Sequence, residues 1–559
     1  MDSQFGADRT PMSGLRPSIV LAGTVLPAFF VFLWHGSCYG TWLIDDAGIS
    51  FAYAHNLASG AGWVSQPGRD PVEGFSNPLW TLLVALLYAL RLFSISLTPK
   101  FVSCLLVAGS FVMFAAAIRR IMDQFEAVLV TGSSLLLAAA NPGFVIWCVS
   151  GLENPLLTFL AAGLLFVSAS VLQDGERLRK RACLIGGLLA AGLALTRPDA
   201  LIYAIVFPLA LAWNTARTTT RYFRGGLMVY GVYFAVPVLS YLIFRRIYFH
   251  DWLPNTYYAK PGVTLDGLFE VASLSGRGAA KAADLSSAIC PVLPVLTPVL
   301  LLAAAVSTVL LPDRQVAGRI AVLGSFVALA FLTYIVLPQD WMGEYRFGTI
   351  AFPTSYLLGF YLLRQIVVRG PLTFSKRASL IGVGLAGLIS SSPAFVQREN
   401  LFAAHPQTPL EDVATSALKY NAFADEIGLE HPTLLLPDLG GTLLLSRARA
   451  IDVAGLCDRD VAAIYHERQP PAMLAAYILD HVKPDLIHIH DYWSYRSGLS
   501  GNPKFRMEYA DLGDGDYIRR ASLPAEINAE DARMIKARLS DGSTRADAHF
   551  QLSQFKFGS

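Results

Sequence analysis

Hydrophobic residues fill the first 395 positions in long stretches, separated by short polar loops. A transmembrane helix needs about 20 apolar residues. Stretches of that length, or somewhat shorter, fall at 17–36, 99–118, 127–148, 155–172, 182–196, 200–213, 226–244, 290–311, 319–337, 352–369 and 377–395. The pattern therefore predicts about 11 membrane helices. Residues 79–97 are a further apolar run, broken by Arg91. Beyond 395 the pattern changes. Helical periodicity at 410–428 and 526–539 is mixed with short apolar runs at Thr433–Pro437 and Leu486–Ile489. That mixture predicts a small α/β domain, with turns at Gly440–Gly441 and Gly513–Gly515. The expected division is a membrane domain over 1–395 and a soluble domain over 396–559.

Charge follows the same division. Residues 1–395 hold 27 Lys+Arg and 19 Asp+Glu, whereas the much shorter segment 396–559 holds 17 and 23. Over the whole chain 15% of residues are charged, against about 25% in soluble proteins. Mean hydropathy is +0.46. These values exclude an ordinary cytosolic protein and a disordered chain. The net charge of +2 supplies no field for a polyanion, so no nucleic-acid partner is expected.

Lys and Arg favour the cytoplasmic side of short loops. Arg9 and Arg16, Arg119–Arg120, the cluster from Arg177 to Arg181, the trio Arg217, Arg221 and Arg224, and Lys376–Arg377 fall on one side only if 79–97 does not cross. That run is therefore expected in the membrane plane or re-entrant on the outer side. The N-terminus is then cytoplasmic and the C-terminal domain extracytoplasmic. The first span lacks a following A-x-A-like site and reads as an uncleaved helix.

The outer loops hold the unusual chemistry. Asp45–Asp46 sits just beyond the first span; a helix cap accounts for one such carboxylate, but two at a membrane boundary are costly to desolvate. A carboxylate there suits a general base for an acceptor hydroxyl. Glu73 and Asn77 enter the 79–97 run. Glu153 lies in Ser150-Gly-Leu-Glu153-Asn-Pro155, and Arg197 and Asp199 flank Pro198. Each of these also reads as a helix-start residue or a local ion pair. The stretch from Arg245 and Arg246 to Asn255, Tyr258 and Lys260 interleaves cations with aromatics, and outer-side arginines run against the charge bias. A lipid-linked phosphate is a fitting partner for them. Asp340, Trp341, Glu344 and Arg346 lie between two spans and combine carboxylates, aromatics and a cation, as carbohydrate and phosphate recognition require. The six cysteines form no CxxC or Cys/His metal spacing and read as buried thiols. Walker A, HExxH and GxSxG motifs are absent, and no GxGxxG follows a strand.

The segment Asp45-Asp46-Ala-Gly-Ile-Ser-Phe-Ala-Tyr-Ala-His-Asn-Leu-Ala-Ser-Gly-Ala-Gly and the following Val72-Glu-Gly-Phe-Ser-Asn-Pro-Leu-Trp80 resemble the first outer loop of polytopic GT-C glycosyltransferases. The resemblance is strongest to the terminal β-(1→2) arabinofuranosyltransferases of the mycobacterial cell envelope. Leu253-Pro-Asn-Thr-Tyr-Tyr-Ala-Lys260, Asp340-Trp-Met-Gly343 and Ile451-Asp-Val-Ala-Gly-Leu-Cys-Asp458 are similar to later motifs of that family. The resemblance implies a GT-C bundle with in-plane outer helices in a bacterial plasma membrane. It also implies inverting transfer of a sugar from a polyprenyl-phosphate donor to a glycan or glycolipid acceptor, without metal or other cofactor. It makes Asp45 or Asp46 the base. Arg245, Arg246, Lys260 and Arg346 become phosphate ligands. Glu153, Asn255, Asp340 and Glu344 become sugar contacts, joined as candidates by Glu73, Arg197, Asp199, Tyr258 and Trp341. Pro338-Gln-Asp-Trp-Met-Gly-Glu-Tyr-Arg346 departs from the family pattern where sugar or acceptor contacts fall, so the sugar is left open. The competing reading is a transporter or flippase of lipid-linked sugars, which places its charges at mid-membrane and often shows two related halves.

Overall fold

In a computed structural model, residues 17–173, 176–215, 220–260, 276–338, 340–367, 373–540 and 544–554 of the chain are described. Arg9, Arg16, Arg217 and Gln339 lie outside them. The first part is helical. It runs α1 (Pro17–Ser37), α2 (Asp45–Ala58), α3 (Pro78–Ala89), α4 (Thr98–Ile121), α5 (Gln124–Ala140), α6 (Pro142–Val149), α7 (Asn154–Gln173) and α8 (Glu176–Thr196). A 3-10 turn (Pro198–Ile205) leads into α9 (Val206–Thr215), α10 (Thr220–Tyr248) and α11 (Asn255–Ala259). Then follow α12 (Arg277–Ile289), α13 (Leu296–Leu310), α14 (Arg314–Val336), α15 (Ala351–Leu362) and α16 (Phe374–Ala404).

Among the described residues, five helices are long and apolar enough to cross a membrane: α4, α7, α10, α14 and α16. The α5–α6 pair makes a sixth if its 70° bend lies within one span. Other expected spans are occupied by shorter apolar helices, such as Leu296–Leu310. The count of 11 therefore exceeds what helix length and composition support here. The run at 79–97 forms α3, a helix of 12 residues. At 1.5 Å per residue it extends about 18 Å, well short of the hydrocarbon core. It packs on α2. α16 passes through the expected boundary at 395 and ends at Ala404.

The remaining chain builds the predicted α/β unit. α17 (Leu410–Glu426) precedes β1 (Thr433–Leu436), α18 (Gly440–Leu445), β2 (Arg449–Asp452), α19 (Arg459–His466) and α20 (Pro471–Ala476). β3 (Leu486–His488), α21 (Asp491–Arg496), α22 (Pro503–Glu508), β4 (Tyr509–Gly513), β5 (Asp516–Arg519), α23 (Ala529–Ser540) and α24 (Thr544–Gln554) complete it. The sheet order is β2-β1-β3-β5-β4. β2, β1 and β3 are parallel, and β5 joins β3 antiparallel. Consecutive buried residues, Leu434–Leu436, Ala450–Ile451 and Leu486–Ile487, give the parallel strands two apolar faces, as a sheet covered on both sides needs.

The carboxyl ends of the three parallel strands point at the helical bundle. After β1 the chain reaches Gly440 and Gly441, whose amides donate to the two oxygens of Asp45 on α2 at 2.8 and 2.7 Å. A Cβ on Gly48, one turn along α2, would lie 2.7 Å from the Gly440 carbonyl carbon. A Cβ on Gly440 would clash with the Asp45 backbone, and one on Gly441 with α17. Only glycines permit this approach. The loop after β2 takes the side-chain amide of Asn255, which donates to Gly455 and Leu456 carbonyls at 2.7 and 2.9 Å. One hydrophobic core holds Ile49, Tyr53, Trp63, Phe75 and Phe249 together with Leu434, Leu436, Leu486 and Ile518, so bundle and sheet share an interior.

This seam yields a stability prediction. Gly440→Ala should separate α18 from α2 and open the interior that bundle and sheet share. Cleavage by added protease at the connection 405–409 of the membrane-embedded chain should rise at least tenfold. Asp45→Ala should act in the same direction, since each buried amide left unpaired costs about 1–3 kcal/mol. A cleavage pattern equal to wild type in both variants contradicts the seam.

Candidate functional site

Asp45 and Asp46 are adjacent on α2, and successive helix residues point about 100° apart. Asp45 is buried under α18, with both oxygens held by amides. Asp46 points in another direction and is partly exposed; the region it shares by charge with Lys260, Arg346 and Asp340 is termed the recess. Among the described residues its carboxylate makes no hydrogen bond or ion pair. Lys260, Arg346, Asp340 and Asp438 are near enough to act on its charge. Burial pushes the Asp46 carboxyl above the ordinary range; Lys260 and Arg346 pull it back down, and Asp340 and Asp438 add to the rise. Lys260 is exposed, with Asp46 and Arg346 near enough to act on its charge. Desolvation lowers its ammonium pKa, as does the nearby Arg346, while Asp46 opposes the change.

Arg346 is held by Asp340, Nε to Oδ2 at 2.7 Å, and lies 4.8 Å from the Phe347 ring centre. Arg197 covers the same ring at 4.7 Å, so two guanidinium groups share Phe347. Arg197 in turn reaches Glu153 at 2.8 Å and Asp199 at 3.0 Å. Asn77 donates to the other oxygen of Glu153 at 2.8 Å and accepts from Ser50 on α2 at 3.2 Å. The result is one connected network from α2 through the start of α3 to the turn after α8.

The loop before Arg346 is strained. Gly343, Glu344 and Tyr345 have φ of 68°, 45° and 60°, three consecutive left-handed residues of which two carry side chains. Such conformations cost of order 1–3 kcal/mol each. Glu344 is fixed by an ion pair to Arg398 on α16, and its carbonyl accepts from the Trp147 indole at 2.9 Å. Tyr345 donates to Asp284 at 3.0 Å. These anchors set the turn that carries Asp340 and Arg346 to the recess. Trp341, at its tip, is exposed.

The candidates thus divide into those at the recess and those engaged elsewhere. Asp46, Lys260, Asp340 and Arg346 come together, with Arg197 behind them. Glu73 and Arg245 form a buried pair, Nε to Oε2 at 2.5 Å, and Tyr241 donates to Glu73 at 2.7 Å. Arg246 donates to the His250 carbonyl at the surface. Asn255 ties the two parts of the chain. Tyr258 packs 5.1 Å from His466 on α19. Glu153, Asp199 and Glu344 spend their carboxylates on arginines.

Two residues of the C-terminal part were not singled out by sequence. Asp438 follows β1 and was indistinguishable from a turn residue. His490 follows β3 and donates from Nε2 to Asp438 Oδ2 at 3.0 Å. The usable signal was position, since ligands of parallel sheets gather beyond the carboxyl ends of the strands. Asp458, by contrast, caps α19, accepting from Asp460 and Val461 amides at 3.1 Å. Among the described residues, no group of three or more His, Cys, Asp or Glu side chains is placed to hold a metal ion.

No family model matches the chain, and no curated protein sequence matches it. Solved structures do. The Archaeoglobus fulgidus oligosaccharyltransferase in complex with Zn and sulfate aligns over 78% of this chain and 62% of its own, at 12% identity and a TM-score of 0.50. The oligosaccharyltransferase AglB of the same organism, in complex with an inhibitory peptide and a dolichol-phosphate, aligns over 77% and 64% at 13% identity, with a TM-score of 0.48. ArnT from Cupriavidus metallidurans bound to undecaprenyl phosphate aligns over 83% and 80% at 13% identity, with a TM-score of 0.47. The chain spans less than two thirds of the length of the archaeal enzymes. At 12% identity the likeness is one of fold: the chain shares the architecture of the Archaeoglobus fulgidus oligosaccharyltransferase.

Proposed function

We propose that the chain is an inverting membrane glycosyltransferase. It takes a sugar from a polyprenyl-phosphate donor and passes it to a hydroxyl of a cell-envelope glycan or glycolipid. One observation carries the reading: Asp46, a carboxylate without a described partner, lies where the charges of Lys260 and Arg346 act on it. The shared fold and the loop motifs resembling GT-C arabinofuranosyltransferases support it, and the same resemblance makes arabinofuranose the first sugar to try. The proposed setting is a bacterial plasma membrane, with the N-terminus cytoplasmic and the site and C-terminal part outside.

The chemistry follows from the two kinds of charge. Asp46 accepts the proton of the acceptor hydroxyl as its oxygen bonds to the anomeric carbon. The bond from that carbon to the phosphate oxygen breaks, and its electron pair leaves with the lipid phosphate. Lys260 and Arg346 stabilise the negative charge that grows there. Asp340 holds the guanidinium plane of Arg346. Glu153, Arg197, Asp199, Glu73 and Arg245 position the loops rather than touch the reacting atoms.

Two measurements test this. Purified wild type should consume one of a panel of radiolabelled polyprenyl-phosphate sugars. Asp46→Asn should lower kcat by on the order of 10²–10⁴, the usual contribution of a general base. Lys260→Met should lower it by on the order of 10²–10³, as for loss of one charge-stabilising group. Full activity in Asp46→Asn overturns the mechanism. Label that crosses vesicle bilayers without transfer replaces the enzyme by a lipid-sugar transporter.

The pH profile gives a second, independent reading. A base must be ionised, so activity falls as pH drops through the pKa of Asp46. Burial raises that pKa. The acid limb of kcat/KM should therefore lie above about 3.9, the ordinary Asp value, and should vanish in the residual activity of Asp46→Asn. A limb at or below the ordinary value assigns the base elsewhere.

A further inference from the structure

Arg346 follows directly on a run of backbone that needs outside support. Gly343, Glu344 and Tyr345 all take left-handed φ, and only the first is a glycine. Left to themselves, Glu344 and Tyr345 favour right-handed or extended backbone, which would swing the chain where Arg346 begins. The turn persists because its surroundings fix it.

Arg398, near the end of α16, touches both of the strained residues that carry side chains. Its guanidinium pairs with the Glu344 carboxylate and lies 5.2 Å from the centre of the Tyr345 ring. Gly143 on α6 leaves room for it, since a Cβ there would stand 3.2 Å from Arg398 Nη2. The next residue, Glu399, lies 3.6 Å from the ring of His35 at the end of α1, which fastens this turn of α16 to the bundle. Beyond the strained run the backbone is pinned again. The Arg346 carbonyl accepts from the Asn154 side-chain amide on α7 at 3.1 Å and from the Thr349 hydroxyl at 2.8 Å. The Arg346 guanidinium lies 5.8 Å from the Trp147 ring centre, and the same indole donates to the Glu344 carbonyl at 2.9 Å. The direction of Arg346 thus depends on how the preceding turn is held, and Arg398 grips two of its three residues.

We propose that Arg398 is a positioning residue for recognition of the donor phosphate. It keeps Glu344 and Tyr345 in their left-handed turn and so aims Arg346; it acts through them rather than on the substrate. The inference rests on the glycosyltransferase reading above, in which Arg346 stabilises the departing lipid phosphate.

The test is a double-mutant cycle on the full-length chain in lipid nanodiscs, with the donor that wild type consumes. Arg398→Met keeps an unbranched side chain and removes the charge. It should raise KM for the donor about tenfold and leave KM for the acceptor within about twofold of wild type. Arg398→Lys keeps the charge without the planar contact on Tyr345 and should raise the donor KM about threefold. In an Arg346→Met background, where the donor KM is already raised, neither substitution should raise it further. Melting temperatures of all variants are measured alongside, and Arg398→Lys carries the cycle where Arg398→Met does not fold. An unchanged donor KM in Arg398→Met overturns this inference alone. So does an equal rise with and without Arg346, or a rise shared equally by donor and acceptor. A wild type that transfers from no donor overturns the glycosyltransferase reading, and this inference falls with it.

Discussion

The structure depends on one carboxylate placed where two glycines arrive. Asp45 receives the amides of Gly440 and Gly441, and Gly48 lets their backbone come within contact of α2. Buried hydrogen bonds to a charged acceptor are worth about 1.5–3 kcal/mol each, and a buried carboxylate without them is costly. The arrangement therefore stabilises the docked state and penalises the undocked one. It also fixes the direction of Asp46. Because the two carboxylates are neighbours on a rigid helix, holding one against the sheet aims the other into the recess. Docking of the C-terminal part and presentation of the proposed base are thus one event.

The same logic recurs around the recess. Glu73 with Arg245, Glu153 with Arg197, and Asp340 with Arg346 are pairs in which both partners are largely shielded from water. Pairs of this kind add little net stability, because desolvation offsets the attraction, yet breaking one leaves an isolated charge that costs about 3–5 kcal/mol. Their effect is geometric. Two of them link segments distant in sequence, Glu73 and Arg245 being 172 residues apart and Glu153 and Arg197 44, while Asp340 and Arg346 fasten one loop on itself. The left-handed run at Gly343–Tyr345 is the place where this holding is most strained, and its anchors on Arg398, Trp147 and Asp284 come from three different helices.

How much of this was legible in the sequence depends on range. Strands at Thr433–Pro437 and Leu486–Ile489 appear as β1 and β3, and helices at 410–428 and 526–539 as α17 and α23, because apolar periodicity is local. The apolar run at 79–97 was recognisable as a non-spanning segment only through the charge bias of loops far from it, and α3 is indeed too short to span. Among the described residues five helices, or six with the bent α5–α6 pair, are long and apolar enough to cross, because several hydrophobic runs form shorter helices such as Leu296–Leu310. The loops of the site were readable as loops with unusual charges. Which charges pair was not readable, because pairing is set by tertiary approach. Arg245 and Lys260 look alike as outer cations, but Glu73 neutralises the first and the recess receives the second.

A transferase that moves a sugar off a lipid phosphate must keep water from replacing the acceptor while leaving a way in for a large glycan. An open cleft on a helical bundle satisfies only the second condition. Here the bundle supplies Asp46, Lys260 and Arg346, and the sheet approaches with the carboxyl ends of its parallel strands, where backbone amides and loop side chains are available for bonding. Lys260 and Arg346 act on the charge of Asp46, and Asp340 holds Arg346. A site divided in this way separates the group that leaves as an anion from the group that must lose a proton. On the proposed reading, charge sign alone orients both substrates, before any contact specific to the sugar is made. That ordering explains why the charged positions of the loops suggest a reaction class, while the residues around Trp341 and Glu344, which carry the departures from the family pattern, leave the sugar open.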